Sequence, residues 1–262
     1  MCGQNRSEDR NSLGNPVLSA GPVVLFAAGS LKDALGEVAR EFEAATGVTV
    51  TAEFGPSGIL RERIFNSAAA HVFASADMRN AQILAGSGLS GSVTPFAANS
   101  LCLMAHPRID IERREVLQLL LDPKIRLGIS TPGSDPAGDY ARLVFKRAGA
   151  LRPGAFEALR NKALTLTGGV ASEKPPAGRN LYAWLIDTGR ADLFLTYRTN
   201  AFSARREIPE IKMRELPASL TVGADYGLTV FKRSPDEAGA LAKRILEPAG
   251  RKVLERHGFG LP

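Results

Sequence analysis
Apolar residues in this chain fall into short continuous runs separated by stretches with a helical period. The first run, Pro22-Val23-Val24-Leu25-Phe26-Ala27-Ala28, predicts a strand covered on both faces. After Gly29-Ser30, the residues Leu31, Ala34, Leu35, Val38, Ala39 and Phe42 recur at spacings of three and four. That spacing predicts an amphipathic helix over 31–45, closed by Gly47. Ser30 is placed to cap it, with Asp33 three residues on as a variant capping box. A second strand is predicted over 48–54, a turn at Gly55-Pro56-Ser57-Gly58 and a helix over 59–65. Strand, helix, strand, turn and helix in succession is the α/β doubly wound pattern.

The alternation continues to the end of the chain. Strands are predicted over 72–75, 99–105, 125–130, 191–197 and 222–231. Helices are predicted over 78–85, 113–121, 139–148, 155–163, 179–188, 235–247 and 250–257. Two loops rich in Gly and Pro, 131–138 and 167–178, interrupt the series. Residues 1–20 are polar, rich in Asn, Ser and Gly, and read as a loose N-terminal arm.

Composition narrows the class. With 262 residues the chain holds one large domain or two modest ones. Its 44% hydrophobic and 23% charged residues exclude a disordered, collagen-like or coiled-coil architecture. No apolar stretch reaches the length of a membrane-spanning helix. The formal charge of +6 suits nucleic acid, an anionic surface or a small anion. Lys and Arg are dispersed and aromatics make up only 6%, so stacking on bases has little support. Of the two cysteines, Cys102 lies in an apolar run and reads as a core residue. Cys2 reads as a remnant or as the first residue of a mature lipoprotein, with no signal segment before it.

The candidate chemistry lies at four strand-to-helix junctions: Gly29-Ser30, Gly55-Pro56-Ser57-Gly58, 131–138 and Gly178-Arg179. In α/β sheets such loops gather at the carboxyl ends of the strands, where ligands bind. Each brings a helix N-terminus with free N–H groups, and Ser30 and Ser57 add hydroxyls. Converging donors make an anion site; the alternative is that both serines simply cap their helices. Catalysis finds no footing. His71, His106 and His257 have no metal-ligand spacing, and no nucleophile-elbow, phosphate-loop or dinucleotide motif is present. Asp77 and Asp192 read as capping or pairing residues, and Tyr182 and Trp184 as core. The expectation is therefore a binding protein, not an enzyme, with no cofactor and no metal cation.

Seven segments in order carry a family resemblance. Phe26-Ala27-Ala28-Gly29-Ser30-Leu31 with Gly47-Val48 resembles the opening of the periplasmic molybdate-binding proteins of ABC transporters. Phe54-Gly55-Pro56-Ser57-Gly58 resembles that family's second anion loop. Val72-Phe73-Ala74-Ser75-Ala76-Asp77, Asn99-Ser100-Leu101, Pro136-Ala137-Gly138 with Tyr140, the run from Ala191 to Tyr197, and His257-Gly258-Phe259 complete the set. The resemblance covers about residues 22–259. It implies a type II periplasmic-binding-protein fold: two doubly wound lobes, a two-strand hinge and a ligand cleft between them. One lobe would hold 21–100 and 222–262, the other 101–221.

The same resemblance implies a molybdate or tungstate site built from Gly29, Ser30, Ser57, the Ala137 backbone, residue 179 and the Tyr197 hydroxyl. It also implies delivery to an ABC membrane permease, a periplasmic location and a monomer; no nucleic-acid partner is expected, because the residues before Pro22 carry no helix-turn-helix pattern. Two positions depart from the pattern. Arg179 stands where the family usually offers an apolar residue, and Asp135 where it is uncharged. Arg179 either grips an oxyanion, which would favour a different anion such as an organic acid, or points outward or pairs with Asp135. Asp135 facing inward would disfavour a dianion. A ligand sensor that performs no transport is the remaining alternative.

Overall fold
The computed structural model describes residues 21–66 and 68–262. The expected arm at 1–20 and Cys2 lie outside the described residues. Nine strands are present among these residues: β1 (Val23–Ala28), β2 (Val50–Gly55), β3 (Val72–Ser75), β4 (Thr94–Ala105), β5 (Leu127–Ser130), β6 (Leu164–Thr167), β7 (Leu193–Tyr197), β8 (Lys212–Glu215) and β9 (Gly223–Val230). The helices are α1 (Lys32–Thr46), α2 (Ser57–Phe65), α3 (Met78–Gly86), α4 (Val116–Leu121), α5 (Pro136–Leu151), α6 (Ala155–Lys162), α7 (Leu181–Asp187), α8 (Arg198–Glu207), α9 (Asp236–Leu246) and α10 (Pro248–Arg256).

The sheet runs β2-β1-β3-β9-β4-β7-β5-β6, with β8 beside β4. Two parallel blocks, β2-β1-β3 and β7-β5-β6, flank an antiparallel pair, β9-β4. β4 serves both blocks. Its stretch Thr94–Ser100 pairs with β9, and Leu101–Ala105 pairs with β7 and β8. The chain therefore passes from one block to the other along β4 and returns at Val222–Gly223. The innermost strands are the apolar runs: β1, β5 and β7 are buried almost throughout. α1 buries Ala34, Leu35, Val38, Ala39 and Phe42 against the first block and ends at Gly47, in the left-handed conformation at φ 72°.

Several expectations shift for local reasons. Ser30 does not cap α1. It sits in a 3-10 turn, Gly29–Leu31, and α1 begins after Leu31 without a side-chain cap. α5 starts three residues before the expected 139, because Asp135 caps it and Pro136 fits its first turn. α4 starts later than the expected 113, because the Asp110 carboxylate accepts from the Glu112 and Arg113 N–H groups and holds a turn there. β4 extends back to Thr94 through Pro95, where a register shift leaves the missing N–H harmless. β6, β8 and α8 were not predicted. The two strands are four residues each, too short to show a period, and α8 is largely polar.

Candidate functional site
The carboxyl ends of β1, β3 and β7 and the start of β9 meet the N-termini of α2 and α5. Ser57, fully buried, opens α2 after Pro56, so it is not the cap either. Its Oγ accepts from the Ala76 N–H at 3.0 Å, and its own proton has no acceptor among the described residues. The next residue, Gly58, donates its N–H to the Ser134 carbonyl at 3.0 Å. That contact joins the two blocks. A Cβ on Gly58 would lie 2.7 Å from the Ser134 oxygen and 2.8 Å from the Gly133 oxygen, so only glycine allows the approach.

Tyr197, at the end of β7, is 2% exposed and donates to the Ala76 carbonyl at 3.3 Å. Its ring lies 5.7 Å from that of Tyr226 and 6.3 Å from that of Tyr140. Ser30 Oγ and Tyr226 Oη are 2.9 Å apart, and Asn99 Nδ2 donates to Tyr226 Oη at 3.2 Å and to Thr199 Oγ1 at 2.9 Å. Burial raises the phenols of Tyr140, Tyr197 and Tyr226, and pushes that of Tyr182 up to about 12. All four stay neutral hydroxyls at physiological pH, able to donate without carrying charge.

Of the residues singled out in the sequence, the structure brings Ser30, Ser57, Asp135, Ala137 and Tyr197 into this one region. Gly29 is exposed at its edge and nothing crowds the place where its side chain would be. Asp135 faces inward. Its Oδ1 accepts from the Ala137 N–H at 3.0 Å, so the backbone donor expected for an anion already holds a carboxylate oxygen. Burial pushes this carboxyl up to about 6, against the lowering effect of the Ala137 and Ser130 hydrogen bonds.

Arg179 makes its ion pairs apart from this cluster of donors. Its guanidinium is held by Glu207 and by Asp187, the latter at 3.1 Å, and it does not pair with Asp135. These two carboxylates engage its Nε and one terminal nitrogen, and the alternative pairing with Asp135 does not form. Asp77 caps α3 through the Asn80 N–H at 2.9 Å, and Asp192 pairs with Arg126 and Arg108. Cys102 is a buried free thiol. Tyr226 and Thr199 escaped notice in the sequence. A single hydroxyl-tipped ring inside the apolar strand β9 was the available signal for Tyr226; Thr199 had none.

Bordering this region, a cavity of about 760 Å³ opens between the blocks, lined by Asp77, Arg79, Tyr140, Arg142, Lys146 and Asp225 among others. Among the described residues no three His, Cys, Asp or Glu side chains gather to hold a metal ion, and no helix is long and apolar enough to cross a membrane.

Residues 23–260 match the model of the bacterial extracellular solute-binding protein family. The chain belongs to that family. It is 34% identical over 237 residues to an uncharacterised protein of Pasteurella multocida, covering 90% of this chain and 97% of that one. It is 28% identical over 266 residues to the molybdate-binding protein ModA of Mycobacterium bovis, covering 100% of this chain and 92% of that one. Among solved structures, the sulfate-binding protein SubI from Mycobacterium tuberculosis superposes with a TM-score of 0.76 at 16% identity, covering 92% of this chain and 87% of that one. The fold of this solute-binding protein is the type II periplasmic-binding-protein fold.

Proposed function
We propose that this solute-binding protein captures a tetrahedral oxyanion, molybdate or tungstate, between its two blocks and presents it to an ABC permease outside the cytoplasmic membrane. The lobes would be 21–100 with 222–262, and 101–221, hinged where β4 and β9 cross. The observation that carries the reading is the Ser57 hydroxyl. It is fully buried and its proton lacks an acceptor among the described residues. It lies where the α2 N-terminus, the Tyr197 hydroxyl and the α5 N-terminus converge. A buried donor of this kind costs about 1–3 kcal/mol unless something accepts from it, and an anion oxygen does so. The resemblance to molybdate-binding proteins supplies the choice of ion.

Ser30, Ser57, Tyr197 and the Ala137 backbone would hold the ion. About four to six neutral donors, at about 1.5–3 kcal/mol each, give roughly 6–18 kcal/mol before desolvation is subtracted, so the upper part of that range meets the net of about 8 kcal/mol that micromolar capture requires. A second reading, a larger organic anion, is favoured by the cavity of about 760 Å³ with Arg79, Arg142 and Lys146 on its walls. Isothermal titration with molybdate, tungstate, sulfate and phosphate tests both. One-to-one binding of molybdate and tungstate with sulfate silent supports the first. No heat with any of the four ions rejects it and favours the second.

A further inference from the structure
Asp135 is a carboxylate set among the donors of an anion site. Its Oδ1 lies 3.0 Å from the Ala137 nitrogen, on the N–H proposed for the ligand. It cannot turn away toward the second block. A Cβ built on Gly168, at the end of β6, would fall 2.5 Å from both Cβ and Oδ2 of Asp135, so this backbone closes that side. On the other side, Ser134 is pinned by its carbonyl to the Gly58 N–H.

An anion oxygen that approaches the Ala137 N–H must therefore come into contact with the Asp135 carboxyl. Two ionised oxygens in contact repel each other, whereas one proton between them turns the contact into a hydrogen bond. We propose that Asp135 and the bound anion share one proton, so that a fully ionised oxyanion enters the site together with one proton from solvent. The proton adds to the carboxyl–anion pair, and the charge gained by the protein is that of the ion less one. This rests on the oxyanion reading above.

No basic side chain among the described residues pairs with Asp135, and Arg79, Arg142 and Lys146 line the neighbouring cavity with Asp77, Asp139 and Tyr140. From α5 itself come Asp139 and Tyr140, from the turn before α3 Asp77, from β7 Tyr197, from β9 Tyr226 and from α7 Tyr182. Asp139 and Asp77 repel a negative Asp135, and the tyrosines are neutral. The raised carboxyl, at about 6 before any anion arrives, agrees with the geometry. An anion beside it raises that value further.

The test is isothermal titration of the full chain with sodium molybdate between pH 6.5 and 8.5, in buffers of different ionisation enthalpy. The expected result is uptake of close to one proton per ion and a Kd that rises up to tenfold per pH unit. Asp135→Asn keeps the capping oxygen on Ala137, and is expected to bind with no proton exchange and a flat pH profile. Binding by the wild-type chain without proton uptake overturns the proposal and leaves the oxyanion reading standing. An Asp135→Asn chain with the wild-type proton count overturns it as well. Molybdate silent at every pH overturns both.

Discussion
Gly58→Ala tests whether the approach of the two blocks is what builds the site. Today the Gly58 N–H donates to the Ser134 carbonyl at 3.0 Å. The added methyl would stand 2.7 Å from that oxygen, 2.8 Å from the Gly133 oxygen and 3.2 Å from the Ser134 carbonyl carbon. An ordinary carbon–oxygen contact needs about 3.3–3.6 Å, so the blocks must part by roughly 0.6 Å at this point. The obstacles are backbone atoms and cannot rotate aside. At about 3.6 Å the cross-block hydrogen bond ceases to be one. Losing it costs about 0.5–1.5 kcal/mol, and the residual strain brings the total to about 1–2 kcal/mol. A ligand that needs the closed arrangement loses affinity by the same amount, a rise in Kd of about 5–30-fold. The helix itself gains from Gly→Ala, by up to about 1 kcal/mol. The expected signature is therefore weaker binding with little change in the unfolding temperature of the ligand-free protein. Titration with whichever oxyanion binds the wild-type chain, together with thermal unfolding, reads both. An unchanged Kd refutes the reasoning, and so does a fall in affinity matched by a large fall in Tm.

Further outcomes follow from single contacts. Ser57→Ala is expected to weaken oxyanion binding by about 1–3 kcal/mol, and an unchanged Kd would remove Ser57 from the site. Arg179→Ala is expected to leave Kd within about twofold, because Glu207 and Asp187 hold its guanidinium; loss of binding would return it to the pocket. The buried Asp192 carboxylate, bound by Arg126 and then Arg108, is held well below the usual range. Its folded value lies below its unfolded one, so its stabilisation is present above about pH 4 and is lost as pH falls through the acid range. Asp192→Asn should cost on the order of 2 kcal/mol at pH 7 and flatten the acid limb of a stability–pH curve; an unaltered curve would contradict this. The Cys102 thiol, raised by burial, should resist alkylation until the chain unfolds, as mass spectrometry of labelled peptides would show.

The fold was legible where burial is two-sided. β1 and β7 carry unbroken apolar runs because neighbours cover both faces, and α1 shows its stripe because one face packs and the other is wet. The edges were not legible. β8 reads Lys-Met-Arg-Glu, and β4 is what makes it a strand, by pairing Lys212–Glu215 with Cys102–Ala105. Nothing inside four polar residues encodes that partner. Pro95 hid the first half of β4 in the same way, since a proline is acceptable in a strand only where a register shift removes the need for its N–H.

That the junctions at Ser30, Ser57 and 131–138 come together was legible in the sequence, but the orientations of their side chains were not. Ser30 and Ser57 both look like helix caps in sequence, and neither caps. Each hydroxyl is redirected by a partner far along the chain, Tyr226 for Ser30 and Ala76 for Ser57. The two charged departures take different courses. Arg179 has a long side chain and an exposed position, so surface carboxylates capture it. Asp135 has a short side chain on the residue before α5, and the helix's first free N–H groups draw it inward. The property that makes Asp a good cap here, a fixed negative oxygen at a helix N-terminus, is the one that competes with an anionic ligand for that terminus. Capping and anion capture draw on the same donors, and a chain that does both must neutralise one of the two charges.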